Sequence, residues 1–486
     1  MNKSELKPAS VFKLFAEINK IPRPSKHEGK MVEFLSNWGK GHGLDTKVDE
    51  TGNVLIKKPA TPGMEDRKTV TLQSHMDMVC DKLVDVDFNF ETDAIRTHIE
   101  GEWLTAEGTT LGADDGIGVA MELAILEADD VEHGPIECVF TVDEETQLTG
   151  ATSMKAGFMG GDMLINLDSE DEGQIFVSCA GGKTTTATFQ TKREDVGEGK
   201  WFFLRGSLKG LKGGHSGDDI NKKRANAIKI LARFLYKEMT KRELRLVELN
   251  SGKMHNAIPR DGSFIIAVRD ADKEQVKADW NVFASDVEEE FHVTDTTMEF
   301  AMESAEPAKV MEQTVAQNII RALQAVDNGI YAMCQDEDLA WLVETSSNVA
   351  SVVTASDKVS VVASQRSNVI SNLENECNTV KAVFELAGAD VTQNDGYPAW
   401  KMNPNSELTR IVIDTYKELF GKDPLVIGIH AGLECGLFSE RYPNMDMVSF
   451  GPTLRGVHTP DEKLHIPTVE MVWNHLLAIL KSIPKK

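Results

Sequence analysis

The sequence lacks three features that would each assign it to a special class of protein. No window approaches 18 uninterrupted apolar residues, which argues against a membrane-spanning helix. No two of its six cysteines form a Cys-x-x-Cys pair, as expected for buried thiols in a reducing compartment. Basic residues are also in the minority, since 52 lysines and arginines face 77 acidic residues, for a formal charge of -25. So acidic a chain argues against nucleic acids and anionic membranes as partners.

The remaining composition is that of an ordinary globular enzyme with more than one domain. A chain of 486 residues is too long for one simple core, so two or three domains are expected. It contains 41% hydrophobic and 27% charged residues, which is average for soluble proteins. Residues 1–8 have neither the apolar core nor the small-residue cleavage site of a secretory signal. We therefore expect a cytoplasmic protein.

A His-x-Asp triplet at the end of a strand is the first candidate for chemistry. The β-prone residues 69–72 lead to His75 and Asp77, and residues two apart in an extended segment point to the same side. A neutral imidazole is a good ligand for zinc, cobalt or manganese. A nearby aspartate can hold the other ring nitrogen and so orient the ligand. Alone the triplet says little, because most such triplets are surface residues.

The same arrangement, an apolar strand ending in polar residues, recurs along the chain. Alternating strands and helices indicate an α/β sheet, in which ligands bind at the carboxyl ends of the strands. Two histidines and three carboxylates at that edge suit a pair of divalent ions about 3.5–4 Å apart. Glu144 is then the natural general base for the attacking water. The expected ligands are His75, Asp114, Glu145, Asp168 and His458, with Asp77 and Glu144 as neighbours.

Asp114 and Asp115 have an alternative explanation. They stand at the start of a helix that runs through residues 119–127, where the backbone amides are unpaired. Either side chain could therefore simply cap the helix.

From about residue 184 the pattern becomes that of an inserted domain. Strands and helices follow in the order β-α-β-β-α-β up to about residue 301, which is a ferredoxin-like order. A second helix–strand–strand–helix set over about 308–388 indicates that this unit is duplicated. A turn cluster at 395–398 then returns the chain to the first pattern. We predict a catalytic domain in two segments, 1–185 and 398–486, around an inserted α+β domain, 186–397.

Taken together, these motifs resemble those of the M20 metallopeptidases over the whole chain. The matching segments are His75-Met-Asp77, Gly112-Ala-Asp114-Asp-Gly, Asp143-Glu144-Glu145, Asp168 and His458-Thr-Pro-Asp-Glu. The resemblance implies a zinc-peptidase-like α/β catalytic domain with an inserted lid and two divalent ions, zinc first, with cobalt or manganese as alternatives.

The family pattern also implies a role for each residue. It places His75 and Asp168 on one ion, Glu145 and His458 on the other, and Asp114 between them. Asp77 would orient His75, and Glu144 would be the acid and base. Gly116 stands where many members have lysine, so the choice of Asp114 over Asp115 rests on the alignment.

Residues 74–79 and the long insertion are most similar to the bacterial aminoacyl-histidine (Xaa-His, carnosinase-like) dipeptidase branch of that family. This implies a homodimer that hydrolyses small dipeptides such as β-alanyl-histidine. His215, in a glycine-rich loop, resembles the lid histidine that stabilises the oxyanion. Asn256 resembles a substrate contact. Arg366, which the sequence places at a helix start, suits the substrate carboxylate, and Glu434 is expected in the substrate pocket.

Three other functions fit parts of this pattern. An N-acyl amino acid deacylase would use the same metal site without needing a free amine. A non-catalytic metal-binding protein would share the ligands but would not need Glu144. A metal-dependent phosphoesterase usually has more histidines and a cationic phosphate clamp.

Overall fold

The computed structural model describes residues 6–335 and 339–486, which form two compact units. The first, here called the discontinuous unit, contains Met1–Ser178, Trp400–Gly428 and Leu433–Lys486. The second, the inserted unit, contains Cys179–Ala399 and Ile429–Gly432. The expectation that residues 1–8 carry no signal segment falls partly on residues 1–5, outside the described residues. The domain limits predicted near 185 and 397 stay a prediction.

An eight-stranded mixed sheet forms the centre of the discontinuous unit. Val70–His75 pairs in parallel with Ile136–Thr141 on one side and with Met163–Asn166 on the other. These three strands are buried along their whole length, which explains their largely apolar sequences. Across the sheet the strands are Asp45–Val48, Val54–Lys58, Ile136–Thr141, Val70–His75, Met163–Asn166, Asp446–Ser449, Gln174–Cys179 and Leu425–Ile429. The predicted α/β sheet is confirmed.

Helices share one hydrophobic core with this sheet. Ala113–Glu127 is buried along most of its length and packs against Ala9–Ile18, which is why it is apolar all round. The other helices are Gly29–Gly41, Glu144–Gln147, Thr149–Ser153, Glu407–Phe420, Glu434–Arg441 and Ile466–Ser482. A small second sheet consists of Leu454–Arg455, Lys463–His465, Trp103–Ala106 and Thr97–Glu100.

The first half of the inserted unit has the ferredoxin-like order that the sequence predicts. Its strands lie across the sheet in the order fourth, first, third, second. Its helix Ala227–Lys241 is capped by the Asn226 side chain and packs Phe234 against Trp280, with 4.7 Å between the ring centroids. In chain order the elements are Trp201–Lys209, Ala227–Lys241, Leu244–Ser251, Gly262–Arg269, Lys273–Glu290 and Glu299–Ser304.

The second half repeats this topology, as the predicted duplication requires. It takes as its first strand Gly181–Gln190, which precedes the first half in the sequence, and its strand order is again fourth, first, third, second. It continues with Gln313–Ala325, Val343–Thr354, Lys358–Ser367, Ile370–Leu386 and Asp390–Gln393. Shorter strands of the inserted unit are Arg193–Glu194, Gly214–His215, Ala257–Ile258, Val310–Met311 and Gly329–Met333, and Ile220–Lys222 and Asp270–Asp272 are 3-10 turns.

Two expectations from composition can be compared with the described residues. None of the six cysteines, all of which lie in the described ranges, forms a disulfide bond. Among the helices of residues 6–335 and 339–486, none has the length and apolar character needed to cross a membrane.

Candidate metal centre and substrate-binding residues

The polar residues predicted at the sheet edge come together at the carboxyl ends of its parallel strands. His75 is the last residue of Val70–His75, Glu145 follows Ile136–Thr141, and Asp168 follows Met163–Asn166. Since these strands are parallel neighbours, their ends present the side chains at one edge.

Asp114 lies between the two histidines of this group. Its Oδ1 is 3.1 Å from Nε2 of His75, and its Oδ2 is 3.0 Å from Nε2 of His458. Asp168 Oδ1 is also 3.3 Å from Nε2 of His75, and Glu145 Oε2 is 3.0 Å from Nε2 of His458. The five residues thus divide into two sets that share one carboxylate, and each set holds one histidine.

The structure distinguishes Asp114 from its neighbour Asp115. Asp115 Oδ1 accepts a hydrogen bond from the backbone amide of Gly118, three residues on, as a helix cap does. Asp114 has φ -82° and ψ 109°, outside the helical region, and its carboxylate faces the imidazoles instead. The capping explanation offered by the sequence thus applies to Asp115, while the role of Asp114 as a metal ligand stays a prediction.

Asp77 contacts His75 from the other side of the ring. Its Oδ1 is 3.4 Å from Nδ1 of His75, and the carboxylate accepts hydrogen bonds from the Ser25 hydroxyl (2.8 Å) and from the amides of Glu144 (3.1 Å) and Glu145 (3.3 Å). With 0% of its side chain exposed, Asp77 is fixed in place. It can therefore hold the tautomer of His75 that leaves Nε2 free for a metal.

The electrostatics of the group favour bound positive charge. Burial opposes protonation of His75, yet Asp168 and Asp114 raise its pKa well above the usual value. Hydrogen bonds that His458 donates to the carboxylates of Asp114 and Glu145 raise the pKa of His458 to about 11. Burial is the largest influence on Asp168 and raises its pKa to about 8. The concentration of carboxylates around the two imidazoles thus favours positive charge at this group, which divalent ions would supply.

The donor set fits two divalent ions. Two imidazole nitrogens and three carboxylates are typical ligands of zinc, cobalt and manganese. Ligand atoms of His75, Asp114 and Glu145 lie within 4.8 Å of one another. Glu145 Oε1 is buried and finds no hydrogen-bond partner among the described residues. An unsatisfied carboxylate oxygen beside two histidines is a suitable ligand for a metal ion.

Another acidic group, Glu28, Asp77 and Asp143, is equally compact but is satisfied by protein donors. Glu28 accepts the amide of Asp143 at 3.0 Å, and Asp143 accepts the hydroxyls of Thr146 and Thr149. These contacts fix the backbone on either side of the metal centre. This second acidic group therefore stabilises the loops around the metal centre.

Glu144 lies beside Glu145 at the start of a short helix, and its side chain is half-buried. Loss of hydration raises the pKa of Glu144 well above its ordinary value, and Asp168 and Glu145 add to this effect, while His75 opposes it. A carboxylate with a raised pKa is suited to take a proton from water and return it to a leaving group.

The residues predicted to bind substrate from the lid lie in the inserted unit. Gly214–His215 pairs with Ala257–Ile258, so His215 and Asn256 are neighbours on one short ribbon. Nε2 of His215 is 3.4 Å from Nη2 of Arg366, which lies on the strand Lys358–Ser367. The prediction of a helix start at Arg366 is wrong because the strand continues to Ser367.

Arg366 is a buried cation that interacts with the charge of Asp218 but forms no close ion pair among the described residues. It is 6% exposed, and no described carboxylate lies within 4.0 Å of its nitrogens. It donates a 2.6 Å hydrogen bond to the hydroxyl of Tyr397, and its Nε finds no acceptor among the described residues. Nearby, His430 accepts or donates a 2.7 Å hydrogen bond with Ser346, and burial lowers the pKa of His430 to about 3. The guanidinium is thus available to a carboxylate ligand.

Glu434 is fully buried in the discontinuous unit. Its Oε2 accepts hydrogen bonds from Gln73 Nε2 (2.6 Å) and Thr141 Oγ1 (2.8 Å), and burial raises its pKa to about 7. Both partners belong to the strands that carry the metal centre. Glu434 therefore supports those strands, and its predicted contact with substrate stays a prediction.

Sequence reasoning missed three residues that contact these sites. Arg23 donates a hydrogen bond to the carbonyl of Gly112, Glu462 accepts one from the amide of Asp114, and Tyr397 accepts one from Arg366. Glu462 belongs to the quoted segment His458-Thr-Pro-Asp-Glu, so its position was a signal that could have been used. Arg23, between two prolines, and Tyr397, in a turn cluster, have no local pattern that indicates a role.

Comparisons with known proteins identify the family of the chain. The family model "Peptidase family M20/M25/M40" matches residues 71–482, and the chain belongs to that family. The protein is therefore a peptidase of the M20 family.

Individual relatives are similar over their full length. The chain is 41% identical to the cytosol non-specific dipeptidase of Escherichia coli (strain K12), covering 99% of each. It is 43% identical to the aminoacylhistidine dipeptidase of Vibrio alginolyticus, whose crystal structure superposes with a TM-score of 0.90 over 100% of this chain and 99% of that one. Human carnosine dipeptidase 1 shares the fold, with 12% identity and a TM-score of 0.52 over 98% and 96% of the two chains.

Proposed function

We propose that the protein is a metal-dependent dipeptidase that hydrolyses Xaa-His-type dipeptides, including β-alanyl-histidine. The observation that carries the proposal is the Asp114 carboxylate, which contacts the imidazoles of both His75 and His458. The names of two full-length relatives, a cytosol non-specific dipeptidase and an aminoacylhistidine dipeptidase, support the dipeptide as substrate.

The five clustered side chains would hold two divalent ions, with Asp114 shared between them. Such ions polarise a carbonyl and lower the pKa of water towards neutrality. Glu144 would accept the proton of the attacking water and pass it to the amine that leaves. Asp77 would keep His75 in the required tautomer through Nδ1. His215 would donate a hydrogen bond to the oxyanion of the tetrahedral intermediate.

Recognition of a dipeptide requires a group that reads its free carboxylate. Arg366 is suited to this because it is a buried guanidinium with no carboxylate within 4.0 Å among the described residues. Asn256, on the same ribbon as His215, would contact the substrate backbone. A peptide with its carboxylate blocked would leave the guanidinium unpaired, which would weaken binding by about 1–3 kcal/mol.

Three further parts of the proposal concern the setting of the enzyme. We take zinc as the native metal because imidazole and carboxylate ligands suit it, with cobalt or manganese as alternatives. We place the enzyme in the cytoplasm, as the name of the Escherichia coli relative indicates for that protein. We expect a homodimer, which sedimentation of the purified protein would test.

The experiment is hydrolysis of β-alanyl-histidine by zinc-reconstituted protein, beside N-acetyl-histidine and β-alanyl-histidine amide. Cleavage of the dipeptide, with much slower cleavage of the other two compounds, is the expected result. Equal cleavage of N-acetyl-histidine would make the enzyme a deacylase. If no compound in a broad panel of dipeptides is hydrolysed, the proposed function is wrong.

A further inference from the structure

Glu462 accepts hydrogen bonds from four consecutive backbone amides in the loop that carries Asp114. Leu111 and Gly112 donate to Oε2 at 2.8 and 3.0 Å, and Ala113 and Asp114 donate to Oε1 at 2.8 and 3.3 Å. The Glu462 side chain is buried, with 2% of the residue exposed. One carboxylate thus fixes the course of the whole loop.

Glu462 itself is anchored to a regular element. Its backbone carbonyl accepts a 2.9 Å hydrogen bond from the Thr105 hydroxyl, and the next residues, Lys463–His465, pair with the strand Trp103–Ala106. It stands four residues after His458. The loop of His458 and the loop of Asp114 are therefore joined through one side chain.

Arg23 makes the equivalent connection to the loop of His75 and Asp77. Its Nη2 donates to the carbonyl of Gly112 at 2.6 Å, and its Nη1 donates to the carbonyls of Met76 at 3.4 Å and Asp77 at 3.1 Å. Arg23 is 1% exposed. The peptide groups flanking Gly112 are consequently held from two sides, the amide by Glu462 and the carbonyl by Arg23.

Two glycines leave the space that this guanidinium occupies. A Cβ atom at Gly112 would lie 2.5 Å from Nη2 of Arg23, and one at Gly116 would lie 2.7 Å from the same atom. Gly112 also has φ +66°, a conformation that other residues rarely adopt. Gly116, like Gly112, thus leaves room for the Arg23 side chain.

We propose that Arg23 and Glu462 are positioning residues of the metal centre, which fix three of its ligand-bearing segments, those of His75, Asp114 and His458, before any ion binds. The inference rests on the proposed metal centre. Clustered carboxylates repel one another in the metal-free protein, so loops without such anchors would spread. Outer residues that orient metal ligands commonly contribute 10–100-fold to metal affinity.

The test is the zinc affinity of Glu462→Gln, measured by competition with a chromogenic chelator. An amide has one acceptor oxygen, and whichever way it is turned, two of the four backbone donors lose their partner. We expect zinc affinity about 10–100-fold weaker than in the wild type. The matched control is Asp461→Asn, at the exposed neighbouring position, with unchanged affinity.

Circular dichroism and the thermal midpoint of the metal-free variants separate positioning from general stability. A folded Glu462→Gln protein with zinc affinity within twofold of the wild type overturns the inference. If that variant does not fold, Arg23→Lys provides the same test, because one ammonium cannot reach the three carbonyls that the guanidinium spans; unchanged affinity there also overturns it. A wild-type protein that binds no zinc refutes the metal centre itself.

Discussion

The guanidinium of Arg366 donates a 2.6 Å hydrogen bond to the hydroxyl of Tyr397. The tyrosine is held in turn by its backbone, which exchanges hydrogen bonds with Gly182 in both directions. A Cβ atom at Gly182 would lie 2.6 Å from the phenol oxygen, and one at Gly432 would lie 2.7 Å from the ring. Glycines thus make room for a tyrosine that orients the arginine.

Tyr397→Phe should weaken dipeptide binding with little change in kcat. Loss of one hydrogen bond to a charged group costs about 1 kcal/mol or somewhat more, so KM for β-alanyl-histidine should rise about fivefold to tenfold. KM for the amide of that dipeptide should not change, because it has no carboxylate for Arg366 to bind. Steady-state kinetics with both compounds check this, with Tyr331→Phe, at an exposed position, as the control. Equal effects on both compounds would contradict it.

Glu144→Gln should abolish most of the activity while both metals stay bound. The amide keeps the size of the side chain but cannot accept the proton of water, and general bases typically contribute 10²–10⁴-fold. We expect kcat to fall by about that factor, with two zinc ions per chain by elemental analysis. Glu418→Gln, at an exposed helical position, should resemble the wild type. Activity within tenfold of the wild type would remove Glu144 from the mechanism.

Asp114→Asn should reduce zinc binding from two ions per chain to one or fewer. The carboxylate contacts both histidines, and an amide oxygen is a weaker, uncharged ligand. The matched control is Asp115→Asn, because asparagine also caps helices and Asp115 makes the capping bond. Two tightly bound ions in the first variant, or loss of zinc in the second, would show that the two aspartates have been assigned the wrong roles.

His475 should make the protein less stable in mild acid. It is buried between aromatic rings, donates to the carbonyl of Val412 at 2.9 Å, and burial lowers its pKa from 6.5 to about 4. Below pH 6.5 the His475 side chain binds a proton in the unfolded chain, whereas in the folded chain it stays neutral until the pH approaches 4. The stability is therefore complete above pH 6.5 and falls as the pH approaches 4, by roughly 3 kcal/mol in total.

Thermal unfolding of the metal-free protein at pH 7.5 and pH 5 measures this effect. The thermal midpoint of His475→Phe should fall less between pH 7.5 and pH 5 than the midpoint of the wild type does. That of His27→Phe, at an exposed position, should fall as much as the wild type's. An identical pH dependence in His475→Phe and the wild type would show that this histidine is not the group responsible.

Local patterns predicted the residues that project from strand ends. His75 ends an apolar strand and Glu145 and Asp168 follow apolar strands, and a sheet brings such strand ends together whatever the details of packing. Asp114 could be distinguished from Asp115 only by the backbone, because φ and ψ at the helix start decide which carboxylate faces the histidines.

Residues whose partners are distant in sequence could not be found in this way. Arg23 binds a carbonyl 89 residues away, and Glu462 binds amides about 350 residues away. Arg23 has no periodic pattern or motif around it. Glu462 lies in the motif His458-Thr-Pro-Asp-Glu, but that motif does not show which amides it binds. The inserted unit shows the same limit, since its second half was expected to begin near 308 although its first strand is Gly181–Gln190.

That strand has a consequence for synthesis of the chain. Both strands that flank it, Lys358–Ser367 and Asp390–Gln393, emerge from the ribosome roughly 170–200 residues later. At about 5–20 residues per second, Gly181–Gln190 waits on the order of ten seconds or more with both edges open. Unpaired edges invite pairing with other chains. Truncated chains that end before residue 358 should therefore aggregate, even though the first ferredoxin-like half is complete.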